Sequence, residues 1–106
     1  PHTHVMVDPT SELVIADYGD APVDPESAYR SIEPIRAMVR EVAETGTIPF
    51  IIGGDHSLMY PDVAGVADVY GKGKVGVVHF DAHYDAGSMG LGHNLTHGTP
   101  VRRLIE

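Results

Sequence analysis

The chain has 106 residues, 15 acidic against 7 basic side chains, a formal net charge of −8, and no cysteine. Its length bounds it to one compact unit or a piece of one, and a hydrophobic content of 42% fits a globular chain rather than a disordered or collagen-like segment. Disulfides and thiolate metal sites are excluded, the acidic balance argues against nucleic-acid binding, and no apolar run approaches the ~20 residues of a membrane span.

Pro1 to Thr10 lacks a signal-peptide core, which makes the cytoplasm the expected compartment. Leu13-Val14-Ile15-Ala16 is a short apolar run ending in Asp17-Tyr18-Gly19-Asp20, which predicts a buried strand and then a turn. Asp24-Pro25-Glu26-Ser27 predicts a helix start. Asp24 can accept from free amide hydrogens, Pro25 suits the first helical position, and Glu26 complements the dipole. Ala28, Ile32, Ile35, Val39 and Val42 follow as one apolar stripe, with Pro34 predicting a kink and Gly46 a stop. Ile48-Pro49-Phe50-Ile51-Ile52 is apolar on both pleat faces, as a covered parallel strand requires, and Gly53-Gly54 ends it. A second helix is expected from Ser57 or Pro61 to about Tyr70, broken by Gly71-Lys72-Gly73. Val75-Gly76-Val77-Val78-His79-Phe80 reads as a third strand. Ala86 to Thr99, rich in Gly, His and Ser, reads as a functional loop, and Arg102 to Glu106 as a helix beginning.

Strand, helix, strand, helix, strand predicts an α/β chain with a mainly parallel sheet and helices on its faces. Ligand sites in such sheets lie beyond the carboxyl ends of the strands. Those ends carry Asp17-Tyr18-Gly19-Asp20, Gly53-Gly54-Asp55-His56 and Asp81-Ala82-His83-Tyr84-Asp85. On an extended chain Asp81, His83 and Asp85 share one face, roughly 6–7 Å apart in succession. Two carboxylates and an imidazole there form a donor set for a divalent cation. His56, after two glycines that permit close backbone approach, reaches the same place if its strand is a neighbour at ~4.8 Å. Taken singly, Asp81, His83 and Asp85 also suit a solvated strand end, and His56 a capping histidine. Their combination favours a metal site.

Gly53-Gly54-Asp55-His56-Ser57 followed by His79-Phe80-Asp81-Ala82-His83-Tyr84-Asp85 resembles the ureohydrolase superfamily of arginases and agmatinases. Asp17-Tyr18-Gly19-Asp20 and Thr96-His97-Gly98-Thr99-Pro100 are similar to its agmatinase-like branch. The resemblance implies part of a three-layer α/β/α, arginase-like fold, with residues 1–106 a fragment of a single catalytic domain. It implies two manganese ions, with His56 and Asp85 on one, His83 on the other and Asp81 bridging both. It also implies hydrolysis of a small cationic guanidino substrate to urea and an amine, agmatine to putrescine above all, by a hydroxide held between the ions. Asp81 and His97 are the implied proton-handling residues. Asp55 is expected to orient neighbours, His79 to be packed or hydrogen-bonded, and His93 to lie on the surface. His2 and His4 are expected to be terminal rather than ligating. A homo-oligomer, trimer or hexamer, is the implied assembly.

The resemblance also implies a later Asp-x-Asp strand end and a further Glu, neither of which lies in these residues. Asp81 and Asp85 alone do not balance two divalent ions, so the expectation is an interior fragment whose own metal site is partial. Three other readings stand beside it: arginase or guanidinobutyrase chemistry, another two-metal hydrolase such as a phosphoesterase, and a non-enzymatic metal-binding fragment. Against the phosphoesterase, no glycine-rich phosphate cradle or basic clamp is evident, and Lys72 and Lys74 sit at the amino end of the third predicted strand.

Overall fold

Asp24 opens a turn, not the long helix. Its side chain accepts from the Glu26 amide at 2.8 Å and pairs with Arg30, while its own amide donates to the Ser31 hydroxyl at 2.9 Å. The cap passes to Ser27, whose hydroxyl accepts from the Arg30 amide. In the computed structural model, which describes residues 4–106, helix α2 therefore spans Ala28–Glu44, following a single turn α1 at Pro9–Glu12. His2 lies outside the described residues. The α1 turn has a legible cap that the sequence reading passed over: Asp8 accepts from the Thr10 amide and Pro9 takes the first turn. Helix α2 runs uninterrupted through Pro34 and ends as expected at Thr45, with Gly46 at φ +80°.

The buried side of α2, Ser31, Val39 and Ala43, lies on the predicted stripe: Val39 is buried and Ile32, Ile35 and Val42 are half-buried, while Ala28, in the first turn, is exposed. Helix α3, Met59–Tyr70, lays buried Gly65 against α2, where an added Cβ would stand 2.7 Å from the Arg36 carbonyl oxygen and 2.9 Å from Val39 Cβ. Close approach at that point puts Val39 and Ala43 in the contact, and Arg36 closes it with a forked ion pair to Asp68, two bonds of 2.6 Å. Gly71, at φ +102°, ends α3 where a break was expected. Helix α4, Pro100–Ile105, starts two residues before the expected Arg102, because Pro100 suits a first helical position.

The three predicted strands are corrected. Leu13–Ala16, Ile48–Ile52 and Val75–Phe80 carry no strand pairing, and among the described residues the sole β-bridge joins Gly90 to His93. The physical reason is a missing neighbour. Residues of the second and third segments line one open apolar groove of about 280 Å³ over Val63 and Val66 of α3, with no backbone hydrogen bond between them. Ile48, Phe50, Ile52, Val78 and Phe80 are each more than 80% exposed. A sheet needs both its ladder and a covered face to hold together, and these segments have one covered face and no ladder. The α/β architecture is thus represented by helices packed on one side of extended, unpaired segments. No helix among the described residues is long and apolar enough to cross a membrane.

Asp62 reaches into the groove from α3, with Oδ1 buried and without a hydrogen-bond partner. Burial pushes its carboxyl up to about 6 from 3.8. The folded chain thus holds this proton between pH 4 and 6 while the unfolded chain releases it. Asp62 contributes most favourably below pH 3.8, and stability falls as pH rises through about 6. Asp62→Asn should therefore raise stability at pH 7 by about 1–2 kcal/mol, after discounting for its partial exposure. Thermal melts followed by circular dichroism should show that gain shrinking to nothing below pH 4; an equal gain at both pH values would refute this origin.

Candidate metal centre

His56 opens a single 3-10 turn, His56–Leu58, whose first amides need an acceptor. Asp55 supplies one, its carboxylate accepting from the Ser57 amide at 2.8 Å. Hydrogen bonds from Ser57, side chain first and backbone second, hold the Asp55 carboxyl below the usual range, with the charges of His97 and His56 adding to the effect. Asp55 thus orients the turn and leaves His56 to face the third extended segment.

That segment does not remain extended through residues 81–85. Asp81 Oδ1 accepts from the His83 amide at 2.9 Å, and Asp85 adopts φ +45°, a left-handed conformation that aspartate tolerates better than most residues. The Asp85 carbonyl then accepts from the Val101 amide at 3.1 Å, anchoring the bend to the start of α4. The expected sharing of one face by Asp81, His83 and Asp85 is corrected accordingly. The bend swings the Asp85 carboxylate inward, to 10% exposure, and leaves the His83 side chain 80% exposed.

Four groups converge: His56, His79, Asp81 and Asp85 each offer an atom within 4.8 Å of all the others. His56 Nε2 lies 3.2 Å from Asp85 Oδ2 and 4.0 Å from Asp81 Oδ2. His79 Nε2 lies 3.5 Å from Asp81 Oδ2 and 3.6 Å from Asp85 Oδ2. Neither nitrogen makes a hydrogen bond, although both are buried. Orphaned nitrogens facing two carboxylates fit a divalent cation, whose ligand bonds of about 2.1 Å place adjacent donor atoms about 3 Å apart. Asp81 also has a second side. Its Oδ1 faces His83 Nδ1 at 3.4 Å, so its two oxygens point toward different imidazoles. The Asp81 carboxyl is held below its usual range, first by the His83 amide and then by the charges of His79, His56 and His83.

Three of the four proposed ligands, His56, Asp81 and Asp85, are thus brought together, and His83 stands across the Asp81 carboxylate from them. His79 is the member that sequence reasoning set aside, although its alternation with Asp81 signalled the shared face. His97 and His93 are exposed and outside the cluster, as is the Asp17–Asp20 turn. The loop that carries His97 is nevertheless well fixed. The Tyr29 hydroxyl accepts from the amides of Asn94 and Leu95 at 3.0 and 3.1 Å, and buried Thr99 accepts from the Thr96 amide at 2.8 Å.

Helices on extended segments, with two imidazoles and two carboxylates meeting at the carboxyl ends, define an α/β protein with a centre suited to a divalent cation. The arginase-family model matches residues 1–106, and the chain belongs to the arginase family, with similarities in its agmatinase-like branch. It is 40% identical over 98 residues to the mitochondrial agmatinase of Gallus gallus, covering 92% of this chain and 28% of that protein. It is 39% identical over 107 residues to the guanidinopropionase of Pseudomonas aeruginosa, covering 99% of this chain and 32% of that one. The crystal structure of a Clostridium difficile protein with a provisional agmatinase name superposes with a TM-score of 0.80 at 28% identity, covering 89% of this chain and 33% of that chain. The chain spans about a third or less of each of these relatives. The expected arginase-like α/β fold holds at this level, without its sheet.

Proposed function

We propose that this chain is part of a catalytic domain that hydrolyses a guanidino compound to urea and an amine, with agmatine as substrate and manganese as metal. The convergence of His56, Asp81 and Asp85 carries the reading. The names of the relatives, an agmatinase and a guanidinopropionase, support the substrate class. Agmatinases and guanidino acid hydrolases both recur among the relatives, and agmatine is proposed on the resemblance of Thr96-His97-Gly98-Thr99-Pro100 to the agmatinase-like branch. His56 and Asp85 would hold one ion, His83 the other, and the two oxygens of Asp81 would serve both.

When bound, such a pair of ions lowers the pKa of water toward ~7, which a resonance-stabilised guanidinium carbon requires of its nucleophile. Asp81 accepts the proton released as water adds, and returns it to the departing amine nitrogen so that urea and amine separate. His97, exposed on its anchored loop, passes to solvent the second proton, lost from the hydroxyl as the urea carbonyl forms. Asp55 keeps the His56 turn in register, and Asp85, anchored through the Val101 amide, would present its carboxylate to a cation.

The test is urea release by the intact protein, stripped with chelator and reloaded with manganese. Agmatine should give the highest kcat/KM against arginine, guanidinopropionate and guanidinobutyrate, with activity lost on stripping and regained on reloading. A preference for guanidinobutyrate or arginine would move the substrate within the same chemistry. Absence of urea from all four, with manganese bound, would overturn the reading, and phosphatase activity in its place would favour a phosphoesterase.

A further inference from the structure

We infer that His79 is a positioning residue of the metal centre, clamping the carboxylates of Asp81 and Asp85 without itself binding the ion; this rests on the metal reading proposed above. The nearest charged atoms to its Nε2 are Oδ2 of Asp81 at 3.5 Å and Oδ2 of Asp85 at 3.6 Å. Both are acceptors, so the tautomer that suits this place carries its hydrogen on Nε2. One N–H set nearly equidistant from two like-charged oxygens offsets their repulsion and aims both at a common point. The contacts are longer than formed hydrogen bonds, and Nε2 is otherwise buried and orphaned. A small inward movement of either carboxylate would complete them.

Two further features separate His79 from His56. His79 lies on the same segment as Asp81, two residues before it, whereas His56 arrives from the 3-10 turn and sits closer to Asp85, at 3.2 Å. A cation between His56 and the carboxylates would tie two segments together, whereas both carboxylates that His79 faces lie on its own segment. The rings of His79 and His56 lie nearly parallel, 13° apart, with centroids 5.4 Å apart. His79 thereby braces the ring plane of His56 as well as the two carboxylates. Its side chain is less exposed than that of His56, 23% against 36%, as befits a group behind the ligands. Groups that orient metal ligands in this way are worth about 10–100-fold in metal affinity.

The experiment compares the wild-type intact protein with His79→Leu and His79→Gln by manganese titration and by pulsed electron paramagnetic resonance, which counts coordinated nitrogens. His79→Leu should bind manganese about 10–100-fold more weakly with an unchanged nitrogen count per ion. His79→Gln, which keeps a donor near the same place, should recover most of that affinity, a rescue that a purely packing role would not give. Wild-type affinity in His79→Leu, equal weakening in both variants, or loss of one nitrogen from the count would each overturn the inference. Should His79→Leu fail to fold, manganese-loaded wild-type crystals decide. An anomalous peak within about 2.3 Å of His79 Nε2 means direct ligation and overturns it; hydrogen bonds from that nitrogen to the bound carboxylates support it. Wild-type protein that binds no manganese would instead bring down the metal reading itself.

Discussion

Asp81→Asn should lower urea release by at least about 10³-fold and reduce the manganese retained after gel filtration. The substitution removes the negative charge proposed to lie between the two ions and the proposed acceptor of the proton released by water; general acid–base groups alone are worth about 10²–10⁴. The fold should not change. Asn keeps an oxygen for the His83 amide, which Asp81 Oδ1 accepts at 2.9 Å, and the position is an exposed segment end outside the helical core. The metal-free melting temperatures of the two proteins should therefore agree, which separates this loss from unfolding. Wild-type turnover and metal content in the variant would show that Asp81 has no such role.

The second large effect belongs to the packing that carries His56. Gly65→Ala adds a carbon 2.7 Å from the Arg36 carbonyl and 2.9 Å from Val39 Cβ, where both neighbours belong to α2. Alanine improves helix propensity by about 1 kcal/mol, but overpacking against a backbone oxygen and a β-branched side chain costs about 1–3 kcal/mol or more. The helices must separate, and a net loss of about 1–2 kcal/mol is expected. Urea denaturation should show a lower midpoint with an unchanged slope. Because α3 continues from the turn that begins at His56, manganese affinity should fall as well. A midpoint at or above wild type would mean that α2 and α3 have slack at this contact.

Much of the helical framework was legible from local chemistry. Gly46 and Gly71 mark stops because both adopt positive φ, whereas α4 starts at Pro100, whose missing amide costs nothing there, two residues before the expected Arg102. The start of α2 was misread by three residues. Asp24 and Ser27 are both good caps, and the choice depended on the Ser31 hydroxyl, which draws the Asp24 amide into a turn. The buried face of α2 was legible as a stripe, but how closely its neighbour approaches it was not. An apolar stripe counts hydrophobicity, whereas the contact was set by Gly65 on another helix, which no window along α2 contains. The apolar runs 13–16, 48–52 and 75–80 carry strand composition, but pairing is a property of neighbours, and those segments have none to bond with here.

For the candidate site, the order of residues along the chain was enough to name His56, Asp81 and Asp85 as one donor set, because donor chemistry is intrinsic to each side chain and the motifs place all three at segment ends. Which imidazole faces them was decided only in three dimensions. The Asp81 carboxylate, accepting from the His83 amide, bends the chain at 82–83 and ends the two-residue alternation there, leaving His83 exposed, while His79, before the bend, stays beside Asp81. Alternation counts residues and assumes a straight chain. After the bend, Asp85 is fixed from outside its own segment, by the Val101 amide at the head of α4.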